Sequence, residues 1–197
     1  MSQSPLKPVY ADEAASGYAQ GWNRISAFLK QGRSWSGRER NCVYLNTGDG
    51  KIAGGRFANV SAISGLDFPD DGRHIAMFDL DHDGDLDMWL ANRSGPQLRL
   101  MRNDVEGGHF VAVRLEGVTC NRDAIGARVT IKSSDESQHL LMRTMRGGES
   151  FKSQSTKWLH FGLGASDHIA ELAVRWPDGK TQVFKALAAD KYYLIEQ

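Results

Sequence analysis

The chain is poor in cysteine: only Cys42 and Cys120 occur in 197 residues, 78 positions apart and in no C-x-x-C pair. That excludes a zinc ribbon or a thioredoxin-type redox motif. Sequence does not decide whether the two could be bridged, and free thiols are the expectation. No apolar run approaches the roughly 18 residues that a membrane-crossing helix needs. The first twenty residues, MSQSPLKPVYADEAASGYAQ, also lack the apolar core of a signal peptide. Neither sign of charge is in excess, since 24 Lys and Arg balance 24 Asp and Glu. No global field therefore favours nucleic acid, which is not an expected partner. Glycine, by contrast, is abundant at 21 residues and is spread between short alternating apolar runs. Such punctuation predicts tight turns between strands.

The acidity that balances the chain is concentrated in one place. Asp79-Leu80-Asp81-His82-Asp83-Gly84-Asp85-Leu86-Asp87 sets five aspartates on alternate positions, with a single glycine among them and apolar segments on both sides. So much like charge in nine residues repels itself unless a cation is present. Calcium takes about 6 to 8 oxygen ligands at roughly 2.3–2.6 Å, and carboxylates at loop positions 1, 3 and 5 converge where glycine turns the chain after them. The expected ligands are Asp79, Asp81, Asp83, the carbonyl of Asp85 and the side chain of Asp87. An EF-hand would require glutamate at position 12, where Leu90 stands, so the element is read as strand, metal loop, strand. His82 reads as a solvent-facing spacer.

Three regions follow. Residues 1–38 carry one amphipathic helix, with Tyr18, Trp22, Ile25, Phe28 and Leu29 recurring at helical spacing over Ala14 to Lys30. Such a stripe predicts core packing, although Gly17 and Gly21 each weaken the helix by about 1 kcal/mol relative to alanine. Residues 39–106 read as short strands around the metal loop: Cys42 to Leu45, Arg56 to Ala62 after the Asn46–Gly50 turn, the two flanks of the loop, and Gln97 to Arg102. Residues 107–197 form a second strand-rich module. Val111, Val113 and Leu115 alternate, as do Ile125, Ala127, Val129 and Ile131, then Leu172, Val174 and Trp176, and a last strand covers Tyr192 to Ile195. Six or seven such strands with hairpin turns predict an antiparallel β-sandwich. The fold class is mainly β: a partial propeller-like blade with an N-terminal helix, followed by the sandwich.

Residues 74–92, HIAMFDLDHDGDLDMWLAN, followed by QLRLMRN at 97–103, resemble an FG-GAP/VCBS repeat, the blade unit of calcium-binding β-propellers. The motifs Asn121-Arg-Asp-Ala-Ile-Gly-Ala-Arg-Val129, Arg146-Gly-Gly-Glu-Ser-Phe-Lys-Ser-Gln-Ser155, Leu159-His-Phe-Gly-Leu-Gly164 and Val174-Arg-Trp-Pro-Asp-Gly-Lys180 resemble, in order, the ASPIC/UnbV domain of the cartilage acidic protein and enediyne-biosynthesis families. The resemblance implies a secreted or cell-surface, calcium-binding interaction or adhesion module. It would have a protein or carbohydrate partner, or associate with further blades or with itself. A propeller closes with about 4 to 8 blades, and this chain holds about one and a half.

For catalysis the sequence offers little. Gly179-Lys180-Thr181 mimics the end of a P-loop but lacks the upstream glycine, so a hairpin turn is expected. His160 reads as a structural histidine in a strand. The run Ser150, Ser153, Gln154, Ser155 satisfies loop backbone in one reading. In the alternative reading, an accessory protein or enzyme of enediyne-like secondary metabolism, it lines a polar site with His160.

Overall fold

A computed structural model describes residues 13–31, 33, 40–48, 56–93, 95–134, 140–149 and 153–197. Ser150, the first twelve residues and the connection at 49–55 lie outside these. By its contacts the chain divides into two units, residues 1–73 with 91–99 and residues 74–90 with 100–197. The described residues are mainly β with one helix, as the alternating patterns predict, and form no closed barrel.

In the first unit, helix α1 spans Glu13–Lys30, close to the predicted bounds. Its apolar stripe does not become core. Tyr18 is 71% exposed and Phe28 45% exposed. Contacts along the helix cover part of these rings: Tyr18 meets Trp22 edge-on at 6.1 Å, and the Arg33 guanidinium lies over Phe28. Strands β1 (Tyr44–Asn46) and β2 (Phe57–Asn59) pair antiparallel, with Tyr44 opposite Asn59. Ser61 closes their end, its hydroxyl accepting the Val43 N–H and donating to Asn59 Oδ1.

Strands β3 (Gly72–Phe78), β4 (Asp87–Asn92) and β5 (Leu98–Met101) make a three-stranded sheet in the order β3-β4-β5. Both flanks of the aspartate loop are therefore strands. Residues 74–90, the loop included, fall in the second unit.

The rest of the second unit is the sandwich. It is built from β6 (His109–Glu116), β7 (Arg128–Ser133), β8 (Leu140–Thr144), β9 (Leu159–Gly164), β10 (His168–Arg175), β11 (Thr181–Ala188) and β12 (Lys191–Glu196). One sheet runs β11-β10-β7-β8 and the other β12-β6-β9. The β-branched alternation fixes which side chains enter the core. Val111, Val113 and Leu115 of β6, Val129 and Ile131 of β7, Phe161 of β9 and Leu172 and Val174 of β10 are all at most 2% exposed. Trp176 is equally buried, and its indole N–H donates to Gln182 Oε1 at 2.8 Å, as a buried tryptophan requires. Gly179, with φ 88°, turns the β10–β11 hairpin, as expected of a sequence that only mimics a phosphate loop. The pair β12–β6 is parallel, Tyr192 opposite Ala112, in an otherwise antiparallel sandwich. Cys42 and Cys120 are free.

Candidate metal centre

β3 and β4 deliver the aspartate loop as a tight excursion between two strands. His82 (φ 61°) and Gly84 (φ 100°) take left-handed backbone conformations that reverse the chain twice within it. Glycine is required at the second of these on two grounds. Its φ is strained for any L side chain, and a Cβ there would lie 2.2 Å from Cε1 of Phe110. Two side-chain contacts tighten the loop: Gly84 N–H donates to Asp79 Oδ2 at 3.0 Å across five residues, and Asp85 N–H donates to Asp83 Oδ1 at 2.9 Å in an Asx turn.

Of the five aspartates, Asp79, Asp81 and Asp87 each bring one carboxylate oxygen within 4.8 Å of the others. Asp87 is 1% exposed and is fixed by both oxygens, Oδ2 accepting Leu80 N–H and Oδ1 accepting Asn103 N–H, each at 2.8 Å. Asp79 is held from one side only. Its Oδ2 accepts from Gly84 N–H and from the Tyr192 hydroxyl, while Oδ1 is buried with no hydrogen-bond partner. Asp81 is exposed and meets Arg102 at 3.7 Å. Asp83 is exposed and turned toward the Asp85 backbone. The Asp85 carboxylate lies against Gly107, where a Cβ would come within 2.9 Å of its Oδ1. Burial, reinforced by the charge of Asp83, raises the Asp85 pKa above the usual carboxylate value.

The outer face of the β12-β6-β9 sheet carries the loop. Opposite residues form a row across it, Tyr192 on β12, Ala112 on β6 and His160 on β9. Both outer members of the row hold the loop: the Tyr192 hydroxyl donates to Asp79, and His160 Nε2 lies 2.6 Å from the Gly84 carbonyl. A carbonyl only accepts, so Nε2 carries the His160 proton. Ala112, 1% exposed, leaves room between them. The rings close the gaps. Phe110 stacks on His160 at 5.3 Å and 6°, and Trp158, Phe110 and His82 each meet Tyr192 edge-on at 5.2 to 5.8 Å. Burial foremost, then the hydrogen bond to Asp79, raises the Tyr192 pKa, so the phenol keeps its proton and remains a donor. His82 is exposed as expected, yet its ring is one wall of this cluster.

The serine run is spent in the same way. Ser153 Oγ donates to the Ile75 carbonyl at 2.9 Å, Met77 N–H donates to Ser155 Oγ at 3.1 Å, and Thr156 N–H donates to the Met77 carbonyl. The segment 153–156 thus fastens β3 by its backbone. Sequence periodicity missed Tyr192 and Trp158 as parts of the site, whereas His160 is the hydrogen-bonded structural histidine in a strand that the sequence predicts, without its link to the loop. Their signal was present, because aromatic and histidine side chains alternate with the core residues where a solvated face would be polar.

Against known proteins, the chain matches no curated protein. Residues 117–197, the part of the sandwich that includes Trp158, His160 and Tyr192, match the model of the ASPIC and UnbV family.

Proposed function

We propose that the chain is a calcium-stabilised, non-enzymatic interaction module in which a blade-like unit of the FG-GAP/VCBS type is clasped to an ASPIC/UnbV domain. The observation that carries this reading is the buried, partnerless Oδ1 of Asp79 beside carboxylate oxygens of Asp81 and Asp87. A carboxylate oxygen withdrawn from water without a donor costs several kcal/mol, and a bound cation removes that cost. The donor set suits a hard ion. It is all oxygen, and two ligands about 2.4 Å from one calcium are at most about 4.8 Å apart, a limit that the three oxygens do not exceed. Asp79, Asp81 and Asp87 would hold the ion, with Asp83 and the Asp85 carbonyl as the remaining ligands expected from the loop spacing. The ion would supply positive charge that cancels the loop's self-repulsion. The chain's own groups do the rest: Asp87 ties Leu80 and Asn103 together, and Tyr192 and His160 seat the loop on the sandwich.

The reading as an enzyme or accessory protein of secondary metabolism needed Ser150, Ser153, Gln154 and Ser155 to line one polar pocket with His160; the pocket that His160 lines with Asp79, Trp158 and Tyr192 includes none of that run among the described residues. Ser153 Oγ, Ser155 Oγ and His160 Nε2 meet backbone groups of residues 75, 77 and 84, which favours the binding reading. Melting metal-stripped protein in excess Ca²⁺ and in EGTA tests the proposal. A ligand at a hundredfold excess over its Kd stabilises the folded state by about 2.7 kcal/mol, a rise of roughly 5–10 °C for a chain of this length. Identical melting temperatures would remove calcium from the account.

A further inference from the structure

Asp79 and Tyr192 stand 113 positions apart in sequence, and the bond between them links the metal loop to the last strand of the sandwich. Resting on the calcium reading above, we propose that Tyr192 is a positioning residue of that site: its hydroxyl fixes Asp79 by Oδ2, so that Oδ1 is presented to the ion.

Both oxygens of Asp79 are accounted for by this division. Oδ2 accepts two hydrogen bonds, one from the loop's own Gly84 N–H and one from Tyr192, while Oδ1 accepts none and is buried. A carboxylate held at a single oxygen by one donor could still swing about its Cβ–Cγ bond. Two donors arriving from separate parts of the chain remove that freedom, as outer partners do for metal-ligating side chains in general. The tyrosine is itself fixed by the sandwich. Its register opposite Ala112 places it, and the edges and faces of Trp158, Phe110 and His82 confine its ring. An ordered phenol has few torsions to lose, so the hydroxyl is delivered at low entropic cost. The neighbouring Tyr193 supplies a natural comparator. Its hydroxyl donates to the Ala188 carbonyl at 2.9 Å and takes no part in the loop. Metal affinity is then a property of the segment matching the ASPIC and UnbV family as well as of the aspartate loop.

Tyr192→Phe keeps the ring and deletes the donor. Three quantities are measured on wild type, Tyr192→Phe and Tyr193→Phe: the Ca²⁺ Kd by calorimetry, the waters on bound Tb³⁺ from luminescence lifetimes in H₂O and D₂O, and the unfolding midpoint in EGTA. Loss of an outer partner weakens metal sites about 10- to 100-fold. Tyr192→Phe is expected to raise Kd at least tenfold and to admit additional water to Tb³⁺. Tyr193→Phe is expected to shift only the midpoint. A Tyr192→Phe Kd within twofold of wild type, with an unchanged water count, overturns the proposal whatever the midpoint does. Should that variant fold poorly, ring-labelled tyrosine NMR on wild type decides: the Tyr192 Cζ signal must move on Ca²⁺ titration while that of Tyr193 stays, and a static Tyr192 signal overturns it. Wild type that takes up no Ca²⁺ refutes the calcium reading itself, an outcome distinct from tight binding that ignores Tyr192.

Discussion

Among the described residues two groups of aspartates include buried members, Asp70 and Asp71 in one and Asp87 in the other, and their charges meet different surroundings. Asp70 and Asp71 of the first unit are 9% and 2% exposed. Asp70 is gripped by Arg99 through Nε and Nη2 and by the Asn92 amide, and Arg73 Nη2 stands 2.5 Å from Asp71 Oδ1. Burial pulls those arginines in as counter-charges, and Arg99 also covers the Phe68 ring at 3.9 Å. Five aspartates of the loop have no comparable partner: the described ion pair is the exposed Arg102–Asp81 contact at 3.7 Å. The first pair has its counter-charges within the protein, although neither Asp71 oxygen accepts a hydrogen bond. The loop carboxylates are gathered without such an answer, with Asp79 Oδ1 buried and bare, and this is the difference that the calcium proposal rests on.

The largest effect should follow from Asp87→Ala. It strips two buried N–H donors of their acceptor as well as removing a ligand, and each orphaned donor costs about 1–3 kcal/mol. A fall of about 4 kcal/mol in unfolding free energy, read from denaturant midpoints, is expected in EGTA, and a larger one in calcium, where the ion's contribution is lost as well. A loss seen only in calcium would show Asp87 to be a ligand and nothing more. Gly84→Ala should cost about 3 kcal/mol, combining overpacking against Phe110 with left-handed backbone strain. Gly48→Ala, which has a similar positive φ but open space around it, should cost only about 1 kcal/mol. Equal losses for the two glycines would mean that the loop does not rest on the Phe110 ring.

Arg99→Met sharpens the comparison from the other side. It leaves Asp70 buried without its guanidinium, and a loss of about 2 kcal/mol is expected, discounted because Arg99 is partly exposed. That loss should be the same with and without calcium, and a calcium-dependent loss would erase the distinction between the two acid groups. Asp81→Ala should do the reverse, changing the EGTA midpoint by no more than about 0.5 kcal/mol, as for an exposed side chain, while abolishing the calcium shift. The smallest effect concerns Asp190, whose pKa the hydrogen bond to His109 lowers. A depressed folded-state pKa contributes stability above the ordinary carboxylate value, and that stability is lost as pH falls through the lowered one. The midpoint difference between wild type and Asp190→Asn should therefore be steady near neutrality and shrink only in that acidic window. Growth of the difference on acidification would contradict the pairing.

The parts of this arrangement visible in the sequence are those written in local pattern. Alternation at Val111, Val113 and Leu115 identified the core face of β6, and the Asp-Gly spacing marked the loop, because both depend on neighbours one to nine residues away. Helix α1 was equally legible as a helix, yet its periodicity could not tell that Tyr18 and Phe28 remain exposed. Nor does periodicity choose strand partners. The parallel pairing of β12 with β6 joins segments about 80 residues apart, and it is this pairing that lays Tyr192 beside Ala112 and within reach of Asp79. The sequence-derived ligand set therefore lacked the residues that hold it.

Calorimetric titration of Ca²⁺ into metal-stripped wild type, beside Asp81→Ala, tests the central claim most directly. The account predicts saturable binding of one ion per chain to the wild type and none to the variant. Absence of binding to the wild type, or equal binding to both, would contradict it.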